Sequence, residues 1–291
     1  MRLEEVLAFT ARANEKHGTT MKAKEARSTA QQSHVEVHQH CNCAFVTAFL
    51  GDKRFSPGVS CLMRRLVAVG TRFPLVIIHD NATRALLPHP PAAGLSVRPI
   101  EIEQLRQRTA TPADNTPDHA RTSTFFAAGR RRLFQTAESQ RTREKLLVWA
   151  LVEYDKVMML DADVYIASNV DVALHTLPPT APLAASPGCE PRFFNSGVMI
   201  ARPNISELER VLRVRPHIPR CESLLTDQSI LNKAFPRWVA LQCRVLTVSL
   251  ASAGRAAHAR LRLATDTTWE LAHFVGEPKP WRHLARCDGR F

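Results

Sequence analysis

The stretch Lys156-Val157-Met158-Met159-Leu160-Asp161-Ala162-Asp163-Val164-Tyr165-Ile166 decides how the chain is read. Residues 157–160 form a short, uncharged apolar run, the pattern of a strand buried on both faces. It stops at two aspartates. Asp161 and Asp163 are two positions apart, so in extended backbone their side chains leave on the same side. Open parallel sheets bind ligands at the carboxyl ends of their strands, where this pair falls. Two neighbouring carboxylates repel unless a cation lies between them, and oxygen ligands suit Mg²⁺ or Mn²⁺. The triplet points to a divalent-metal site that grips phosphate. A solvated acidic turn after a strand is the plain alternative.

Upstream, the pattern is strand, helix, strand. Residues 44–50 are apolar and end in a turn at Gly51-Asp52-Lys53. Ser56 is placed to cap a helix with Pro57 at its first position. Val59, Leu62, Met63, Leu66 and Val67 then recur at helical spacing. Residues 74–78 and 95–100 read as further strands, and the order implies a right-handed parallel crossover in a nucleotide-binding α/β sheet. From 101 to 140 the periodicity fails, so a long functional loop or insertion is expected. Residues 143–154 predict a helix with Leu146, Leu147, Ala150 and Leu151 inward. Lys145 falls in its first turn, against the helix dipole, a hint of some other duty.

Downstream, residues 183–185 predict a short strand, and Phe194-Asn195-Ser196-Gly197-Val198 the entrance to another. Asn195 and Ser196 offer hydrogen bonds there, and Gly197 lets a ligand approach the backbone. Residues 207–214 predict a helix, and Thr226 caps another that opens with Asp227-Gln228. A last strand, 271–275, carries His273 and leads to Gly276 and Lys279, which prolines on either side stiffen.

Composition narrows the classes. The 291 residues, 45% hydrophobic, can build a sizeable core. No run is long and apolar enough to span a bilayer, and the start lacks the apolar segment of a secretory signal. Residues 1–42 predict a polar, flexible extension ahead of a domain at 43–291. His34, His38, His40, Cys41 and Cys43 lie in or beside it, but no second cluster gives zinc-finger spacing. Seven cysteines without disulfide spacing predict reduced thiols and a cytoplasmic setting. The net charge of +12 suits an anionic small substrate, and no basic–aromatic nucleic-acid module stands out.

Taken together, the motifs from Ala44 to Trp281 resemble the glycogenin-like glycosyltransferases, family eight of the retaining nucleotide-sugar enzymes. Ala44-Phe45-Val46-Thr47 resembles the family's first strand, Asp161-Ala162-Asp163 its metal motif, and Phe194-Asn195-Ser196-Gly197-Val198 its sugar-side strand. Asp227-Gln228 with Leu231-Asn232 resembles its active-site helix, and His273-Phe274-Val275-Gly276 with Lys279-Pro280-Trp281 its closing motif. The resemblance implies an α/β fold: a single GT-A, Rossmann-like domain with a mostly parallel central sheet flanked by helices. It implies a hexosyltransferase that takes a UDP-sugar donor and retains configuration, with an unidentified carbohydrate, polyol or protein as acceptor.

The resemblance also distributes roles. Asp161, Asp163 and His273 would hold Mn²⁺, with Mg²⁺ as the alternative; imidazole favours the softer ion. Ala48, Phe55 and Ala162 would lie on the nucleotide, and Lys145, Gly276 and Lys279 on phosphate. Asn195, Ser196, Asp227 and Gln228 would hydrogen-bond the sugar, with Asp227, Gln228 and Lys145 nearest the chemistry. Two departures stand out. Leu224-Leu225-Thr226 occupies a place where the family often has a small, polar run before Asp-Gln. Tyr154 and Tyr165 are the only tyrosines, so no self-glucosylation is expected at the family's site before the closing motif. Two rivals remain, a haloacid-dehalogenase-like phosphatase with Asp161 as nucleophile and a non-catalytic sugar-nucleotide binder. An oligomer is compatible with any of them.

Overall fold

The structure, a computed structural model, describes residues 41–89, 94–109, 144–188, 192–214, 226–249 and 268–275, with positions 279, 281 and 287. The histidines of the polar extension, Leu224-Leu225 and Gly276 lie outside the described residues. The apolar runs become strands of one seven-stranded sheet: β1 (Cys43–Phe49), β2 (Leu75–His79), β3 (Val97–Glu101), β4 (Lys156–Leu160), β6 (Leu183–Pro187), β7 (Phe194–Ala201) and β8 (Val239–Ala240). Their order is β3-β2-β1-β4-β7-β6-β8. Neighbours are parallel except at β7, which runs antiparallel to β4 and β6. Pro99 interrupts the donors of β3, which the edge position tolerates.

Strand alternation sends side chains to two cores. Val46, Ile78, Met159 and Met199 face one; Phe45, Ile77, Met158 and Val198 face the other. The first is covered by α3 (Ile102–Thr109), α5 (Ile205–Arg213) and α6 (Asp227–Ala234), the second by α1 (Ser56–Ala68) and α4 (Asp171–His175). Helix α1 contributes Val59, Leu62, Met63 and Leu66, all almost fully buried. Each such side chain gains about 2 kcal/mol on leaving water. Helix α2 (Asn81–Arg84) is a single turn held by Asp80, whose carboxylate accepts from the Thr83 N–H at 2.9 Å.

A second sheet has three strands, β5 (Val164–Ile166), β10 (Leu271–Val275) and β9 (Val245–Ser249), in the order β5-β10-β9. Its packing joins Tyr165, Trp269, Ala272 and Phe274 to Cys61 and Cys287.

Several expectations are corrected. Ser56 is inside α1 rather than capping it; a 3₁₀ turn, Lys53–Phe55, capped by Asp52, delivers the chain into the helix. The helix expected over 143–154 is a 3₁₀ segment, Lys145–Ala150, and Leu146 through Leu151 are all buried. A run buried on every side has no solvent face to present, so the amphipathic α pattern read there does not apply. The region after 101 holds α3, whose weak pattern reflects only three buried positions, Ile102, Leu105 and Thr109. Reduced cysteines are also predicted, whereas Cys61 is bonded to Cys287 and Cys41 to Cys43. Cys61 and Cys287 are 226 positions apart, so only the fold brings them together.

Candidate functional site

The acidic pair sits where β4 stops. The Asp161 N–H donates to Gly197 O of β7 at 2.9 Å, and the Val164 N–H closes the turn onto Asp161 O at 3.0 Å. Strand β5 then begins at once and pairs antiparallel with β10, in a register that sets His273 opposite Val164. The Phe274 N–H donates to the Asp163 carbonyl at 3.1 Å. Pairing of main chains therefore delivers the imidazole to the carboxylates. Asp161, Asp163 and His273 each offer one ligand atom, all within 4.8 Å of one another.

Asp163 and His273 are buried, and His273 Nε2 lies 3.4 Å from Asp163 Oδ1. Asp163 Oδ1 and His273 Nδ1 are both buried with no hydrogen-bond partner among the described residues. Buried polar atoms are seldom left this way without a ligand or ion to meet them. Two carboxylates and an imidazole suit a divalent cation of the Mn²⁺ type. The donor set fits a metal.

Two lysines complete the charge balance. Lys145 Nζ donates to Asp161 Oδ1 at 2.8 Å and Oδ2 at 2.9 Å. Burial alone would lower its pKa, but Asp161, Asp227 and Asp163 outweigh that and raise it above the ordinary lysine value. Lys279 Nζ donates to Asp163 Oδ2 at 2.6 Å. Burial pushes the Asp163 carboxyl up, yet His273 and Lys279 prevail and hold it well below the usual carboxylate range. Asp227, at the start of α6, is buried; burial and the nearby Asp161 push its carboxyl up, against Lys145 and a hydrogen bond from Ser196.

Helix α6 is docked onto β7 by side chains. Asn232 Oδ1 accepts from the Phe194 N–H at 2.8 Å, and Asn232 Nδ2 donates to Phe194 O at 2.9 Å. Gln228 Oε1 accepts from the Ser196 N–H at 3.0 Å. Asn195 turns back on its own strand, accepting from the Gly197 N–H at 2.8 Å. Thr226 precedes the helix as its cap, as expected, with its N–H donating to Ser229 Oγ at 3.4 Å.

An aromatic wall closes the other side. Phe55 meets Trp281 edge to face with centroids 5.5 Å apart, and Lys279 Nζ is 5.5 Å from the Phe55 ring centre. Trp281 and the Ala162 carbonyl both crowd Gly58 of α1, where a Cβ would lie 2.5 Å from each. Ala48 is half-buried near the end of β1, in register with Ile78. The sequence names Asn232 and Trp281 within family motifs without a contact for either, and leaves Gly58 unmarked. The paired Leu231-Asn232 and the tryptophan after Lys279 were visible, but nothing local shows what they touch. At Gly197 the His273 ring lies where a Cβ would stand.

No family model matches the chain. Glycogenin-1 of Oryctolagus cuniculus is 28% identical over 145 residues, 49% of this chain and 42% of that protein. UDP-glucuronate:xylan alpha-glucuronosyltransferase 2 of Arabidopsis thaliana is 25% identical over 207 residues, 69% of this chain and 29% of that protein. Among solved structures, an active-site mutant of LgtC aligns with a TM-score of 0.51 at 16% identity, covering 82% of this chain and 89% of that one. The bifunctional glycosyltransferase WbbM aligns with a TM-score of 0.54 at 15% identity, covering 83% and 47%. The chain resembles the glycogenin-like glycosyltransferases of family 8. Its fold is of the GT-A type, and the chain spans less than half the length of these two curated relatives. Among the described residues, no helix is long and apolar enough to cross a membrane.

Proposed function

We propose that the chain transfers a hexose from a UDP-sugar to an acceptor hydroxyl with retention of configuration. The observation that carries this is the Asp161, Asp163 and His273 group at the end of β4, with a partly buried lysine on each carboxylate. In this reading these three residues hold Mn²⁺, or Mg²⁺ in its place. A divalent ion held there would supply Lewis-acid stabilisation to a diphosphate leaving group.

The chain's own groups do the rest. Lys145, kept protonated by three carboxylates, supplies fixed positive charge beside the leaving group, and Lys279 supplies a second. Gly276 belongs to the same phosphate-side set. Phe55, Ala48 and Ala162 are assigned to the uridine side. Asn195, Ser196, Asp227 and Gln228 are assigned to the sugar hydroxyls. The burial of Asp227 against Lys145 keeps its carboxylate oriented and dry beside the sugar. Attack from the donor's own face needs no strong protein base, so a Ser-His-Asp arrangement is not required. Residues 1–42 are an extension to this 43–291 domain.

The acceptor is a carbohydrate, polyol or protein hydroxyl. The phosphatase alternative needs a further acidic metal pair, and the described residues hold one group of three or more His, Cys, Asp or Glu able to share an ion, this one. The deciding experiment is a donor screen with Mn²⁺. UDP-glucose, UDP-galactose and UDP-glucuronate are included, the last because a relative's name contains it. UDP release from at least one donor is expected. No UDP release with any donor, alongside binding of UDP and Mn²⁺, would reduce the protein to a binder.

A further inference from the structure

We propose that Gly197 is a positioning residue: its missing side chain is the seat of the His273 imidazole. The inference rests on the metal-site reading above, and deepens it. An ideal Cβ on Gly197 would lie 2.4 Å from His273 Cε1, 2.7 Å from Nε2 and 2.9 Å from Nδ1. The whole nitrogen-bearing edge of the ring is therefore laid against the glycine.

Neither partner can retreat. Gly197 is fixed from both directions, its carbonyl accepting from Asp161 N at 2.9 Å and its N–H bound to Asn195 Oδ1 at 2.8 Å. His273 sits in the central strand of the small sheet, opposite Val164 on one side and Thr247 on the other. A methyl group at 197 must displace the ring, and the ring's Nε2 is the atom 3.4 Å from Asp163. The positive-φ glycines among the described residues are Gly51, Gly70 and Gly94, so an alanine at 197 meets no backbone penalty. What the position demands is room. The same residue thus holds the Asp161 main chain through its carbonyl and admits the imidazole beside its Cα.

The test is a double-mutant cycle of Gly197→Ala with His273→Ala. Thermal melts in chelator read the packing, and titration of the metal alone, Mn²⁺ followed by electron paramagnetic resonance, reads the site. Gly197→Ala is expected to lower the melting temperature in the wild-type background and to have little effect once His273 is alanine. Its Mn²⁺ dissociation constant is expected to rise by about tenfold or more, the usual effect of disturbing a ligand's support. A variant that folds only with the second substitution gives the same answer. Equal destabilisation in both backgrounds overturns the proposal, as does a foldable Gly197→Ala whose Mn²⁺ affinity matches the wild type. If the wild type itself binds no Mn²⁺, the metal reading fails while the melts still decide whether Gly197 seats the ring.

Discussion

At the scale of single residues, the site is a small set of buried charges, each held by its opposite. Asp163 is the most dependent. Its depressed pKa means that the pairing with His273 and Lys279 contributes stability above the unfolded carboxyl's value, near pH 4, and that this is lost as pH falls. Asp163→Asn is expected to cost about 1.5–3 kcal/mol near neutrality, the worth of a charge-assisted hydrogen bond, because it removes the carboxylate that pairs with Lys279. The gap to wild type should close as pH drops from 5 toward 2, a trend that urea melts in chelator would reveal. Lys145 gives a complementary case. Replacing it with methionine removes the ammonium bound to Asp161, so Mn²⁺ alone should bind at least as well. UDP in the presence of Mn²⁺ should bind more weakly by about 1.5–3 kcal/mol, the worth of a charge-assisted hydrogen bond. Calorimetry with each ligand separates the two effects, and loss of Mn²⁺ binding with UDP affinity intact would contradict the assignment.

At the scale of elements, local pattern shows the buried strands and conceals the pieces that complete the site. Strands β1, β2, β4 and β7 are legible because uninterrupted apolar runs leave little choice but a sheet buried on both faces. Strand β5 has three residues, too few for any period, yet it is the element that receives β10 and hence His273. The antiparallel course of β7 is equally hidden, since direction depends on the connection rather than on the strand's own residues. Candidate ligands can be named from residue type and motif order. The glycine that houses the imidazole cannot be explained so, because its partner is distant in sequence. Helix α6 shows how strongly one side chain can set an element. Asn232→Leu would orphan the buried Phe194 N–H and C=O, at about 1–3 kcal/mol for each group left unpaired. Asp227 and Gln228 ride on that helix, so the variant should also show a smaller UDP-induced rise in melting temperature than wild type. A full ligand response in a destabilised variant would disconnect the helix from donor binding.

At the scale of the molecule, two sheets and a late covalent tie bring remote segments to one edge. The Cys61–Cys287 bond fastens the chain beyond Trp281 to α1, whose first turn already carries Gly58 under the Trp281 ring. Breaking it should lower stability by about 2–4 kcal/mol, the usual worth of closing a large loop. Melts with and without reductant, compared with a Cys61→Ser, Cys287→Ser double variant, check this; a reductant effect that persists in the double variant would place its cause elsewhere. The separation of the charged groups has a further consequence for biogenesis. Lys279 comes 116 residues after the aspartate it neutralises, and His273 belongs to the same late stretch. During translation the acidic turn therefore emerges from the ribosome together with Lys145 but well before His273 and Lys279. A polypeptide stalled or clipped ahead of that point would keep most of its central sheet and the Lys145 pairing of Asp161, yet leave Asp163 without either of its late neighbours, so the proposed ion site would be completed only in the finished chain.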